Sequence, residues 1–256
     1  MKTITFETKC YENDWKFILL TPYLDRMISR CQTDFTHRQL IINNVRDLSL
    51  VRRHADEKVR QGVIDAYYVA EDYAREALDF FRIDRDSFGC GYYYSIAELV
   101  GLYLSRTAYH LHFSSDAYME PNAAEPWIAQ AIGLMETNPK YVTATPTWNR
   151  NFREAKAEST GETDAFYLTQ GFSDQCYLVR TDLFRQPIYN EQHPASARYP
   201  RYGGELFEKR VDSYLRNHDL IRLVHRQVSY FHRNFPKNKW LKTIRMAAIR
   251  RNFGKQ

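Results

Sequence analysis

Cysteine is scarce, with four in 256 residues (Cys10, Cys31, Cys90 and Cys176) and no CxxC pair. That spacing argues against a disulfide framework and against a structural zinc site, and it sets a reducing compartment, the cytoplasm, as the expected location. Glycine and proline are also few, 10 and 9, which excludes collagen-like and low-complexity chains. No stretch approaches the roughly 18–20 uninterrupted apolar residues that span a bilayer. The opening MKTITFETKCYENDWKF lacks the apolar core and small residues of a secretory signal. A soluble protein, or one held at a membrane surface, is therefore expected. G-x-G-x-x-G, the P-loop and G-x-S-x-G are all missing, which argues against a Rossmann dehydrogenase, a P-loop kinase and an α/β hydrolase. No cysteine has the basic or histidine-rich setting that activates a thiolate.

What is present is a chain long enough for one large domain. Its hydrophobic content is ordinary at 44%, and it is rich in aromatics, with 19 Tyr and 15 Phe. The net charge of +5 is unevenly placed: residues 236–256 carry seven Lys or Arg and no acid. The remainder is slightly acidic, and its charge gives no sign of a nucleic-acid partner.

Apolar periodicity alternates between the strand and helix periods. TITFETK reads as an opening strand, and residues 15–30 carry apolar side chains at helical spacing, with Pro22 setting a helix start near Thr21. RQLIINNV reads as a buried strand running into a loop, followed by a polar helix. DAYYVA is the next strand and residues 71–81 the next helix. SIAELVGLYLSRT is a strongly apolar helix, YHLHF a strand ending at Ser114-Ser115-Asp116, residues 127–137 a helix stopped by Asn138-Pro139, and residues 141–145 a strand. This β-α alternation predicts a mostly parallel central sheet with helices on both faces, in one α/β domain. Further on, residues 149–165 read as a mobile polar loop and QCYLVR as a strand. Residues 186–204 read as a long connection, ELFEKRVDSYLRNH as a helix, and residues 221–231 as a last strand with His232 just beyond it.

Ligands of open α/β sheets bind beyond the carboxyl ends of the strands. The polar residues at those ends are Glu7, Asn43, Asn44, Glu71, Asp72 and Asp116. Asp116 is the sharpest candidate, because a carboxylate there can hold a divalent cation that bridges the phosphates of a nucleotide. Ser-Ser-Asp is equally good capping chemistry for the turn that follows. In GGELFE, the glycines Gly203 and Gly204 permit close backbone approach and place Glu205 and Glu208 one helical turn apart. Either could act as a general base, though acids at a helix start are also favoured by the macrodipole. His232 can ligate a metal. His110 and His112 share one strand face and read as interior histidines.

In this order, LIINNV, YYVAED, YHLHFSSDAYM, GGELFE and SYFH resemble GT-A glycosyltransferases, particularly the family-two-like group. The resemblance covers residues 3 to about 235, with a donor-binding half over about 1–120, an acceptor half over about 121–235 and a separate tail at 236–256. It implies a GT-A-type sheet and sugar transfer from a nucleoside-diphosphate sugar to a hydroxyl of a polysaccharide, glycan or lipid-linked acceptor. A carboxylate base, Glu205 or Glu208, would act with inversion. It implies a divalent cation, Mn²⁺ or Mg²⁺, on Asp116 and His232, with Phe6, Glu7, Asn44, Asp72, Ser115 and Asp116 around the nucleotide. Ser114 stands where the family's DxD motif has its first acid, and Asn43-Asn44 where it has a pair of acids. The competing expectation is a sugar-nucleotide-binding, carbohydrate-binding or partner-binding module without transfer activity, using its tyrosines as stacking surfaces.

The tail can place Trp240, Leu241, Ile244, Ala248 and Phe253 on one helical face among Lys and Arg. That is the pattern of a helix lying on an anionic membrane surface, so a peripheral position on the inner face of the membrane is expected, alongside the alternative of a helix docked on the body.

Overall fold

The computed structural model describes residues 2–121, 123, 125–199, 204–236 and 238–251. The strands are β1 (Ile4–Cys10), β2 (His37–Ile42), β3 (Ala66–Val69), β4 (Tyr109–Phe113), β5 (Ala117–Met119), β6 (Tyr141–Trp148), β7 (Gly161–Glu162), β8 (Phe166–Thr169), β9 (Cys176–Arg180) and β10 (Ile221–His232). They form one sheet in the order β3-β2-β1-β4-β9-β6-β10-β8-β7, with β5 added on β10. β3, β2, β1 and β4 run parallel, β9 is antiparallel to both β4 and β6, and β6 is parallel to β10. The expected α/β architecture with a mostly parallel sheet is therefore what forms.

Alternation along the strands sorts side chains onto two faces. Ile4, Phe6, Leu40, Ile42, Leu111 and Phe113 pack on one face. There they meet α1 (Trp15–Leu20), α2 (Tyr23–Ser29), α3 (Leu48–Arg60) and α6 (Trp127–Thr137). The other face meets α4 (Ala70–Phe81), α5 (Tyr92–Leu104), α8 (Thr181–Phe184) and α9 (Phe207–Asn217). Strands covered on both faces carry few solvent-facing positions, which is why β4 is buried at all five residues. α5 is buried continuously over Ser95–Leu102, as its apolar sequence requires.

Three sequence expectations need correction. Residues 15–30 form two helices, because Pro22 interrupts the ladder and the Thr21 hydroxyl, bonded to the Phe17 carbonyl, closes the first. Residues 149–165 are not a structureless loop. They hold α7 (Phe152–Ala157) and β7, set off by left-handed Asn149 and Arg150 and closed by Thr160 and Thr163 backbone bonds to β8. These elements are polar, so apolar periodicity could not reveal them. Lastly, His232 is the final residue of β10, paired opposite Ala117 of β5, and does not lie beyond it. Gly203 and Phe253 lie outside the described residues.

β10 is the seam of the sheet. Its first half pairs with β8, its last three residues pair with β5, and its register against β6 shifts between Val224 and Ser229. His225 holds that irregularity: its Nδ1 accepts from the Gln227 and Val228 backbone N–H groups at 3.1 and 3.0 Å. Its Nε2 lies 3.0 Å from Gln130 Oε1 on α6. Nδ1 must stay unprotonated for this, and burial pushes the His225 pKa down to about 4. In the unfolded chain it would titrate near 6.5. The stability tied to neutral His225 is thus complete above about pH 6.5 and is lost as pH falls toward 4. In urea unfolding, the cost of His225→Gln is expected to shrink by up to roughly 2 kcal/mol between about pH 7 and about pH 4.5. A cost independent of pH would contradict the assignment.

Candidate functional site

A cleft of about 380 Å³ opens at the carboxyl ends of β1 and β4. Lys9 and Cys10 reach it from β1, Asn43 from the end of β2, and Ser114, Ser115 and Asp116 from the end of β4. β9 runs the opposite way, so the residues before it, Asp174 and Gln175, also arrive there. Glu208 joins from the first turn of α9, His232 from the end of β10, and Tyr93 and Tyr94 from the start of α5.

Asp116 and His232 meet in this cleft. Asp116 Oδ1 lies 3.2 Å from His232 Nε2 and accepts from the Ser114 hydroxyl at 3.1 Å. Burial favours the neutral carboxyl, but the His232 bond and charge, with Ser114, outweigh it and hold the Asp116 pKa low. Burial likewise disfavours the imidazolium, and Asp116 reverses that, raising His232. Cis ligands on an octahedral cation with bonds of about 2.1 Å stand about 3 Å apart, so this pair has the spacing of two adjacent ligands of a hard divalent cation.

Further carboxylates surround Lys9. Its ammonium is paired with Glu98 of α5. Burial opposes the charge, but Glu98, then Asp174 and Asp116, raise the Lys9 pKa. Glu208 is pushed up to about 9, first by burial and then by the charge of Asp174. Beneath the cleft, Asp14 accepts from the Ser115 hydroxyl and, at 2.7 Å, from the Tyr11 backbone N–H. Burial drives its pKa up to about 7.

The sequence candidates divide accordingly. Asp116, His232, Ser115 and Glu208 line the cleft. Ser115 spends its hydroxyl on Asp14, where it ties the loop after β4 to the loop after β1. Phe6 is fully buried between Phe35 and Phe113 and faces away from any ligand. Asn44, left-handed at φ 50°, does not line the cleft; it and its neighbour Asn43, which does, both donate to the Tyr93 carbonyl. Asp72 is exposed on α4 and paired with Arg52 of α3 at 2.8 Å. Glu205 precedes α9 and pairs with Lys209, so it and Glu208 do not share a helical face. Gly204, at φ 71°, packs against the Gly91 backbone, where a Cβ would lie 2.8 Å from the Gly91 nitrogen.

Glu7 is also absent from the cleft. It lies beneath the sheet, fully buried, with its Oε1 3.0 Å from His112 Nδ1 and 3.5 Å from His110 Nε2. Burial alone would raise its pKa, but the two histidines hold it down to about 2. The ligand atoms of Glu7, His110 and His112 lie within 4.8 Å of one another, so this group can also hold a metal ion. It is sealed under α5 by Gly101.

Lys9 and Asp174 were missed by the sequence reading. The signal for Lys9 was available as a lone cation ending a buried strand. Asp174 needed the reversed direction of β9, which the pattern of QCYLVR does not carry.

No protein-family model matches the sequence, and no curated protein matches it. Among solved structures it is similar in fold to GalNAc-T7 with UDP, GalNAc and Mn²⁺, with a TM-score of 0.54 and 8% identity over 91% of this chain and 43% of that one. Glucosyl-3-phosphoglycerate synthase from Mycobacterium tuberculosis matches at a TM-score of 0.47 and 12% identity, over 98% of this chain and 75% of that one. S. aureus TarS matches at 0.47 and 11%, over 91% and 37%. The chain thus spans less than half the length of the GalNAc-T7 chain. The fold is the GT-A type.

A Cβ added at Gly101 would overlap the Glu7 carboxylate, which its two histidines and Gln39 hold in place. Gly101→Ala is therefore expected to destabilise the protein by roughly 2–4 kcal/mol in urea unfolding, combining overpacking with displacement of a buried charge. An unchanged midpoint would show that this cluster is slack.

Proposed function

We propose that the protein transfers a glycosyl group from a nucleoside-diphosphate sugar to an acceptor hydroxyl in the cleft at the ends of β1 and β4. The observation that carries this reading is the meeting of Asp116 and His232 in that cleft, on a GT-A-type fold. The similar GalNAc-T7 structure contains UDP and Mn²⁺.

The residues present fit a divalent cation. Asp116 and His232 would hold it, and when bound it would neutralise charge gathering on the departing diphosphate. Lys9 offers a second, fixed positive charge to the same phosphates. Tyr93 and Tyr94, 42% and 53% exposed at the rim, supply faces on which a base or sugar ring can stack.

Glu208 is the base in this reading. Its proton affinity is high because it is buried beside Asp174. Positive charge drawn to Asp174 and Asp116 would relieve that repulsion and leave Glu208 ionised, ready to accept the acceptor's proton. Attack by that hydroxyl on the face opposite the leaving diphosphate would invert the anomeric centre. The acceptor is a hydroxyl of a glycan, polysaccharide or lipid-linked carrier.

UDP-, GDP-, CMP- and dTDP-sugars, each with and without Mn²⁺, are expected to include at least one donor that raises the melting temperature by a few degrees in a metal-dependent way. Asp116→Ala should abolish the shift. Glu208→Gln should keep it while lowering turnover about 10²–10⁴-fold. If no nucleotide stabilises the protein, the reading fails. Donor binding without nucleoside-diphosphate release over many acceptors would instead favour a sugar-nucleotide-binding module.

A further inference from the structure

The last helix, α10 (Lys239–Arg251), sits on the body in an inverted orientation. An ordinary surface helix buries its apolar stripe and gives its charges to water. Here Trp240, Leu241 and Ile244 are 71%, 47% and 47% exposed. Ala247 and Ala248 extend the same stripe at spacings of i+7 and i+8 from Trp240, and both are exposed. The cations make the contacts with the body instead. Lys242 Nζ donates to the Asn13 carbonyl at 2.9 Å, Arg245 Nη1 to the Asn234 carbonyl at 3.2 Å, and Arg250 Nη2 to the Leu20 carbonyl at 3.0 Å. Ile249 packs against the core, and the Arg245 guanidinium lies over the Phe235 ring. Backbone carbonyls and Ile249 thus fix the helix while Trp240, Leu241 and Ile244 stay largely in water, an arrangement that costs free energy unless something covers them.

What covers them is indicated by charge. Residues 236–256 carry seven basic residues and no acid. Beside the helix lies a second cavity of about 340 Å³, between α2, α10 and the β5–β10 pair. Arg26, Arg30 and Arg245 reach into it among Tyr118 and Phe231, and no carboxylate lines it among the described residues. An occupant suited to both features must be anionic at its head and apolar in its body. A soluble phosphate satisfies the cavity but not the stripe.

We propose that α10 is an interfacial helix that seats the protein on an anionic lipid bilayer. Trp240, Leu241 and Ile244 enter the boundary between headgroups and acyl chains, and the Arg26–Arg30–Arg245 cavity takes a lipid phosphate. Asn234, whose carbonyl accepts from Arg245, also lines the cleft, so one residue touches both the helix and the cleft. The proposal rests on α10 and its neighbours, and it stands or falls separately from the chemistry of the cleft.

Flotation of the full chain with vesicles tests it, using phosphatidylcholine alone and phosphatidylcholine mixed with phosphatidylglycerol. The chain is expected to float with the anionic vesicles, less so as salt rises, and not with the neutral ones. W240S/L241S/I244S should weaken binding roughly tenfold or more. Because the substituted side chains are exposed, the variant should keep its melting temperature and any donor-induced shift. R26Q/R30Q should remove the preference for phosphatidylglycerol. Four outcomes would overturn the proposal: no flotation, equal flotation with both vesicles, undiminished binding by the triple variant, or release of the protein by inorganic phosphate at an ionic strength where sodium chloride leaves it bound. A dimer in light scattering that the triple variant dissociates would also overturn it, by assigning the stripe to a second copy of the chain.

Discussion

Carboxylates outnumber cations at the ends of β1 and β4, and that imbalance governs the site. Asp116, Asp174, Glu98 and Glu208 surround one buried ammonium, Lys9, with Asp14 just below. Such a concentration of negative charge cannot stay ionised out of water without compensation. The protein answers in three ways. It pairs Glu98 with Lys9, sets His232 against Asp116, and leaves Glu208 and Asp14 with raised proton affinity. In the proposed chemistry a divalent cation on Asp116 would add to this compensation, with Lys9 kept in place.

The sheet makes this convergence possible. Parallel β1, β2 and β4 deliver their carboxyl ends to one edge, and antiparallel β9 returns the chain there with Asp174. β10 changes partners around His225 so that its last residue, His232, lies against the β5 segment that follows Asp116. The site therefore draws on residues from 9 to 234, which separates it from any local motif.

Much of this was legible in the sequence because periodicity records burial. The opening strand, LIIN, YHLHF and the helix at residues 127–137 all sit where apolar spacing puts them. Asp116 and His232 were readable because each lies at or just beyond the end of a strand. The failures have a common cause. Glu7 sits near the end of a buried strand, and only the neighbouring strand shows that it faces His110 and His112 and not the cleft. Phe6 points to the opposite core by the same alternation. Asp72 and Asn44 lie near strand ends, yet α4 carries the first outward and only the neighbour of the second, Asn43, lines the cleft. Proximity along the chain gave the edge of the sheet but not the direction of each side chain. The polar elements α7 and β7 left no apolar period to read.

The proposed chemistry depends on the Asp116–His232 pair holding a cation in the cleft. Electron paramagnetic resonance of Mn²⁺ titrated into the protein in the presence of UDP tests it most directly, since bound Mn²⁺ loses the sharp signal of the hydrated ion. One bound Mn²⁺ per chain is expected, lost in Asp116→Ala and weakened in His232→Gln. Absence of binding, or binding that survives Asp116→Ala, would contradict it, and the second result would direct attention to Glu7, His110 and His112.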